Sequence, residues 1–250
     1  MTLVAVVAVA ACNDYSTTPT PQDTRPQPTL VTATGDISAT VDAFRTALGT
    51  ANGGTAGEQV AGRREISWDG TAANPFDNRN DFPPDFFNTT AKNGAVFTTD
   101  GTGFRNDSTD FVGINPNYAT QFAFFSASKI FSPIGSNVMD VLFRVAGQPT
   151  PATVRGFGVV LSDVDLPNKT TVELFDQNGA PLGSFPAPVR SNAQGLSFVG
   201  VTFDQAIIAR VRITLGTGAL GATADDITAG GASDLVVLDN LIYGEPKKAF

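Results

Sequence analysis

Hydrophobic positions along this chain change their period near residue 60. Ile37, Val41, Phe44 and Leu48 recur at intervals of four, three and four residues, which places them on one side of a helix. Asp36 stands where a helix start is capped and Gly49 where a helix ends, so the spacing predicts one short amphipathic helix packed on the main body. A helix lying on a membrane surface is the competing reading, but its face is small and carries only Arg45 as a base. Further on, short apolar runs stand between Gly, Pro and Asn clusters, at 94–98, 122–125, 138–145, 154–161, 171–175, 196–203, 208–215 and 235–243. No sustained helical period separates them, which favours an antiparallel sandwich over alternating strand and helix. In 208–215, Ala209, Val211, Ile213 and Leu215 point one way while Arg210, Arg212 and Thr214 point the other, as in a strand with one wet face. In 235–243, strict alternation groups Val236, Leu238 and Ile242 against Leu235, Val237, Leu241 and Tyr243; both faces are apolar, so this strand is expected to be central. Asp176-Gln177-Asn178-Gly179 joins 171–175 to 182–185 as a hairpin turn, because Asn-Gly accepts positive φ.

The expected fold is therefore all-β, an antiparallel jelly-roll-like β-sandwich with a short peripheral N-terminal helix. Residues 36–250 suffice for one such domain and show no long internal repeat, although the loop-rich stretch 68–117 could form a small lobe of its own.

The N-terminal residues follow other rules. Leu3 to Val9 are continuously apolar, yet the run is far short of the ~20 residues that span a bilayer. Val9-Ala10-Ala11-Cys12 resembles the lipobox of bacterial lipoproteins. The resemblance implies that residues 1–11 are a signal segment that is removed, and that Cys12 is lipidated and becomes the first residue. Asn13 in place of an aspartate at the second mature position implies delivery to the outer membrane or cell surface. Met1-Thr2 departs from the pattern by lacking a basic residue. A buried strand with an ordinary free cysteine is the alternative. Residues 12–35 are rich in Thr, Pro, Gln, Ser and Asp, with prolines at 19, 21, 26 and 28, and read as a flexible, solvated tether. One cysteine excludes an intrachain disulfide framework. The protein is thus expected to be extracytoplasmic and held to a lipid membrane by an N-terminal acyl anchor.

Composition removes whole classes of chemistry. The chain has no histidine, so serine–histidine and cysteine–histidine pairs, imidazole bases and histidine-containing zinc sites are absent. A net charge of −8 is a poor match for a nucleic-acid backbone. Gly53-Gly54 and Gly101-Thr102-Gly103 lack a lysine at phosphate-binding spacing and read as turns. No organic cofactor is indicated.

Carboxylates remain. Only Glu58, Glu65, Glu173 and Glu245 are glutamates among 24 acidic residues, and an aspartate bias suits tight loops and cation coordination. Asp163 and Asp165 follow the apolar run that ends at Leu161 and would project from one strand end, repelling each other unless a cation, arginine or proton lies between them. Asp239 interrupts the apolar final strand and needs backbone donors, an arginine or a metal. Asp225 and Asp226 precede that strand and can join the cluster. These five are the candidate calcium ligands, with aspartates that cap turns as the alternative; no EF-hand loop is present. Trp68, Asp69, Phe82, Asp85 and Phe86 form a second candidate site, a stacking platform with carboxylates for a sugar. The competing reading has the aromatic residues tying a long loop to the sandwich.

Several of these segments resemble a family of secreted bacterial β-sandwich proteins of unknown function. They are Arg-Arg-Glu-Ile-Ser-Trp-Asp-Gly at 63–70, Phe-Pro-Pro-Asp-Phe-Phe-Asn at 82–88, Gly-Ala-Val-Phe-Thr-Thr at 94–99 and Gly-Thr-Gly-Phe at 101–104. Further on come Phe-Ser-Pro-Ile-Gly-Ser-Asn-Val at 131–138, Arg-Gly-Phe-Gly-Val-Val-Leu-Ser-Asp-Val-Asp at 155–165, and Leu-Asp-Asn-Leu-Ile-Tyr-Gly-Glu-Pro at 238–246. Many such relatives carry a C-terminal Pro-Glu-Pro sorting tail, where this chain has Lys247-Lys248-Ala249-Phe250. Asp239-Asn240 also resembles a short motif of jelly-roll carbohydrate-binding modules. The resemblance implies an extracytoplasmic β-domain and carries no activity. The sequence thus favours a non-catalytic lipoprotein domain that binds glycan or an envelope protein, with calcium as a stabiliser. A carboxylate-dependent glycosidase or polysaccharide lyase, and a purely structural envelope protein, are the alternatives.

Overall fold

The computed structural model describes residues 26–70 and 75–249. The signal segment, Cys12 and the tether as far as residue 25 lie outside the described residues. The strands are β1 (Thr29–Thr34), β2 (Arg63–Ile66), β3 (Ala95–Thr98), β4 (Gly103–Asp107), β5 (Ile130–Ile134), β6 (Val138–Phe143) and β7 (Ala152–Thr153). They continue with β8 (Gly156–Ser162), β9 (Thr171–Phe175), β10 (Pro181–Pro186), β11 (Leu196–Thr202), β12 (Arg210–Thr214), β13 (Val237–Gly244) and β14 (Lys247–Lys248). Among the described residues there are two α-helices, α1 (Ser38–Leu48) and the single turn α2 (Phe86–Thr89), and two 3₁₀ turns, Pro116–Tyr118 and Ile227–Ala229.

The strands form an antiparallel β-sandwich. One sheet has the order β1-β11-β8-β13-β5-β4, with β2 also paired to β13; the other has the order β10-β9-β12-β6-β3. Their inner faces share one core, in which Phe157, Val159 and Leu161 of β8 meet Val172, Val211 and Phe143 of the second sheet. Trp68, Phe82, Phe86, Phe87, Phe97 and Phe104 belong to this same core. α1 covers the outer face of the larger sheet: Ile37, Val41, Phe44 and Leu48 are all buried against Val160, Phe198 and Ile242. Gly49 closes the helix with φ 103°, as the sequence indicates, whereas the N-cap is Ile37 with no side-chain cap bond, and Asp36, one residue ahead of it, accepts from Ser38 N–H at 3.2 Å. The β9–β10 hairpin likewise turns at Gly179, with Asp176 Oδ1 accepting from the N–H groups of Asn178 and Ala180.

Three expectations change. Residues 29–34, which by composition belong to the flexible tether, form β1, in register with β11 from Thr29↔Thr202 to Thr34↔Ser197. The strand lies at a sheet edge and is mostly exposed, so its Thr-rich composition carries no apolar signature. Residues 122–125 are not a strand, because their donors go to side chains: Ala123 N–H to Ser162 Oγ and Phe125 N–H to Asp239 Oδ2, both at 2.7 Å. In β13 the alternation does not run through. Leu238 pairs with Leu161 and Leu241 with Val159, so a bulge at Asp239-Asn240 inserts one extra residue. The parity flips there, and Leu241 and Tyr243 join Leu238 in the main core rather than facing away from it.

β13 is buried along its whole length, and its end is fixed by a buried ion pair. Arg64 Nε and Nη2 donate to the two carboxylate oxygens of Glu245 at 2.7 and 2.8 Å, while Nη1 donates to the carbonyls of Gly53 and Thr55. Both side chains are essentially inaccessible. Glu245→Gln leaves the guanidinium uncompensated and is expected to cost about 3–5 kcal/mol. Urea denaturation should show this as a lowered midpoint with an unchanged slope. A change within about 0.5 kcal/mol, typical of surface substitutions, would contradict the assignment.

Candidate functional site

At one end of the sandwich β8 leaves its sheet at Ser162, and the next residue, Asp163, adopts φ 72°. That left-handed geometry turns the chain, with Asp163 N–H donating to Gly195 O at 2.8 Å. Val164 then enters the core, and Asp163 and Asp165 are both buried. The segment before β13 supplies two more carboxylates. Asp226 caps the 3₁₀ turn Ile227–Ala229, its Oδ1 accepting from Thr228 N–H at 2.8 Å and Oδ2 from Leu235 N–H at 2.8 Å. Asp234 accepts from the N–H groups of Asp165 and Leu166 and so ties this segment to the β8–β9 turn. Gln121, from the long β4–β5 connection, donates to Asp163 Oδ2 and to Thr228 Oγ1.

The result is a compact group. Asp163, Asp165 and Asp226 each contribute a carboxylate oxygen, and these three oxygens lie within 4.8 Å of one another. Among the described residues, Asp163 Oδ1 and both oxygens of Asp165 are buried with no hydrogen-bond donor. Burial pushes the Asp163 carboxyl up to about 8, with the charges of Asp226, Asp165 and Asp234 adding to it. Burial and the adjacent Asp226 push Asp165 up to about 7. Three buried carboxylates at this spacing must hold protons or share a cation. An all-oxygen set of hard ligands suits calcium or magnesium rather than a soft transition metal.

Of the residues expected at a metal site, the structure brings together Asp163, Asp165 and Asp226. Asp225 and Asp239 are drawn elsewhere, and both are corrections. Asp225 Oδ1 accepts from Asn115 Nδ2 and Asn117 Nδ2 at 3.0 Å. Asp239 lies in the β13 bulge and is satisfied by Phe125 N–H, Ser126 N–H and Ser126 Oγ at 2.7–3.1 Å, although burial still pushes its carboxyl up to about 6. Asp234 was missed. It borders the apolar run 235–238 as Asp163 borders the run ending at Leu161, and that shared position was the available signal.

The sugar platform does not form. Trp68 and Phe82 are 2 % exposed and Phe86 is 8 % exposed. Trp68 stacks on Phe131 at 4.0 Å between ring centroids, and its Nε1 donates to Asp239 O. These rings lie inside the sandwich and offer no face to a ligand. Asp69 accepts from Ala127 N–H, Ser128 N–H and Ser128 Oγ, and Asp85 is an exposed residue before α2. A surface concavity of about 540 Å³ is lined by Leu48, Val60, Arg155 and Lys247; Glu245 also borders it, but its carboxylate is committed to Arg64.

No family model matches the chain, and no curated relative matches it. Among solved structures it is similar to a two-domain protein of unknown function from Bacteroides fragilis, at 12 % identity and a TM-score of 0.26. The match covers 62 % of this chain and 46 % of that one, so the overlap spans less than half of the neighbour's length.

The raised carboxyls of Asp163 and Asp165 contribute to the pH dependence of stability. Their stabilising, protonated form is fully present below the ordinary value near 3.8 and is lost as pH rises through about 7 and about 8. The groups facing them are Asp226, Asp234 and Gln121, which supply no compensating positive charge. The melting temperature in chelator should therefore fall from pH 4 towards pH 8 more steeply in the native chain than in Asp163→Asn. Parallel curves for the two proteins would contradict the assignment.

Proposed function

We propose that this chain is an extracytoplasmic, non-catalytic β-sandwich domain whose loop end is fastened by one calcium ion. One observation carries the metal assignment: three carboxylate oxygens, on Asp163 and Asp165, are buried without donors beside Asp226. Calcium accepts six to eight oxygen ligands in flexible geometry and can complete its shell with loop carbonyls and water. Magnesium requires near-octahedral geometry with short bonds and is the poorer candidate. The role is structural and organisational. The ion would join the β8–β9 turn to the segment before β13, and through Gln121 to the β4–β5 connection.

Two features of the sequence support a location outside the cytoplasm. The apolar run Leu3 to Val9 leads into Ala10-Ala11-Cys12, and prolines recur through residue 28. Mass spectrometry of the native membrane fraction should find an acylated N-terminus beginning at Cys12. A soluble protein retaining residues 1–11 would remove this part of the proposal.

The metal is tested by thermal unfolding at pH 7.5. Calcium at a hundredfold excess over Kd should stabilise the protein by about 2.7 kcal/mol, magnesium at the same concentration should do less, and chelator should reverse the effect. Asp163→Asn and Asp165→Asn should abolish the response, while Asp225→Asn and Asp239→Asn should preserve it. An unchanged melting temperature, together with no bound metal in chelator-free protein, would leave these carboxylates as proton-sharing neighbours.

A further inference from the structure

The β4–β5 connection, residues 108–129, is unusually long for a hairpin in a compact domain. It carries Phe111, Tyr118 and Phe122, which pack with Leu220, Leu235 and Val237 into a satellite core, and it carries Gln121. Nothing in the chain can staple its base with a disulfide, because the only cysteine is Cys12.

The two ends of this connection hold an amine and a primary amide on one face of the sheet. Asn106 of β4 is in register with Phe131 of β5, and Lys129 lies two residues before Phe131, so the two side chains point to the same side. A single carboxylate joins them. Asp77 Oδ2 accepts from Lys129 Nζ at 2.5 Å, and Asp77 Oδ1 accepts from Asn106 Nδ2 at 2.8 Å. Asn106 is 1 % exposed, and its Oδ1 is buried without a donor among the described residues. The Lys129 and Asp77 side chains are only 10 % and 17 % exposed. Phe131, opposite Asn106, stacks against Trp68 and Phe104 and builds an aromatic wall beside the group.

We infer that Lys129 and Asn106 are the partners of an intramolecular isopeptide bond, formed with Asp77 as the proton shuttle. Asp77 takes a proton from the Lys129 ammonium, and the freed lone pair on Nζ attacks Cγ of Asn106. Asp77 then passes the proton to Nδ2, the Cγ–Nδ2 bond breaks, and ammonia leaves with one further proton from Nζ as ammonium. An ammonium and a primary amide become a secondary amide and an ammonium ion, so atoms and charge balance without any oxidant or co-reactant. Rotation of the Asn106 amide about its terminal torsion exchanges oxygen and nitrogen, so the protonated Asp77 can serve the carbonyl oxygen during attack and the nitrogen as it departs. Holding both reactants on one carboxylate makes the step effectively unimolecular, and burial keeps water from competing. The product closes a covalent ring from residue 106 to residue 129 at the base of the satellite core. This inference is independent of the calcium site.

Mass spectrometry of the purified full chain decides it. The folded protein should be lighter than its sequence by one ammonia beyond any N-terminal processing. Trypsin should fail to cut after Lys129, yielding residues 106–144 as one fragment that carries the whole deficit. In Lys129→Arg the deficit should vanish and cleavage after 129 should return; Asp77→Asn should likewise leave the mass full if that variant folds. A fragment of full mass cut normally at Lys129 would overturn the inference. So would an ammonia loss that persists in Lys129→Arg, which would be a succinimide at Asn106. A deficit of one water linking Lys129 to Asp77 would overturn the assignment of Asn106 as the acyl donor.

Discussion

The burial of β13 on both faces is the constraint from which most of this structure follows. Every residue from Val237 to Gly244 is buried, with β8 along one edge and with β5 and β2 sharing the other. A strand in that position has no water for its polar groups, so they turn to partners inside the protein, and of its side-chain oxygens Asn240 Oδ1 alone is buried without a donor among the described residues. Asp239 obtains three donors from Phe125 and Ser126, which fixes the path of these two residues and takes their N–H groups out of any ladder. Its own carbonyl takes the indole N–H of Trp68, which sets that ring in the core. Tyr243 Oη donates to Asn93 O, and Glu245 binds Arg64, which gathers the carbonyls of the 53–57 loop. Loops that look irregular in isolation are thus the solvation shell of one strand.

The same constraint explains what the sequence made legible. Patterns generated by a single element and one apolar neighbour were readable: the four-residue face of α1, the Asn-Gly hairpin, and the central position of β13 are recoverable from spacing and turn chemistry. Features that depend on two distant segments were not. β1 exists because β11 offers an unpaired edge, and its own composition is that of a tether. The parity flip in β13 depends on a bulge against β8, and its only trace in sequence is two polar residues inside an apolar run. The aromatic series from Trp68 to Phe87 gave the right composition for either a platform or a core; burial decides between them, and burial belongs to the tertiary structure.

Within the acidic site, sequence reasoning succeeded where chain position and chemistry coincide. Asp163 and Asp165 flank a core valine just past the strand end, a position visible in the sequence, but the left-handed turn at Asp163 that brings both carboxylates inward is not. Choosing between Asp225 and Asp226 was beyond the sequence, since neighbouring identical residues diverge according to the turn they sit in. Asp226 begins the 3₁₀ turn and faces inward, whereas Asp225 is captured by Asn115 and Asn117.

Asp239 and Asp163 then show why burial of a carboxylate does not by itself mark a site. Both are fully buried and both have raised carboxyls. Asp239 has donors on both oxygens, and its neighbourhood is closed once those bonds are made. Asp163 has Gln121 on one oxygen and nothing on the other, and the open oxygen belongs to a group in which Asp165 has neither of its own satisfied. Hydrogen bonding has solved the electrostatic problem at the first position and left it unsolved at the second. Since Asp234 ties the segment before β13 to the β8–β9 turn through the N–H groups of Asp165 and Leu166, and Asp226 of that segment faces Asp163 and Asp165, whatever neutralises the unsolved position also decides how firmly that end of the sandwich is held.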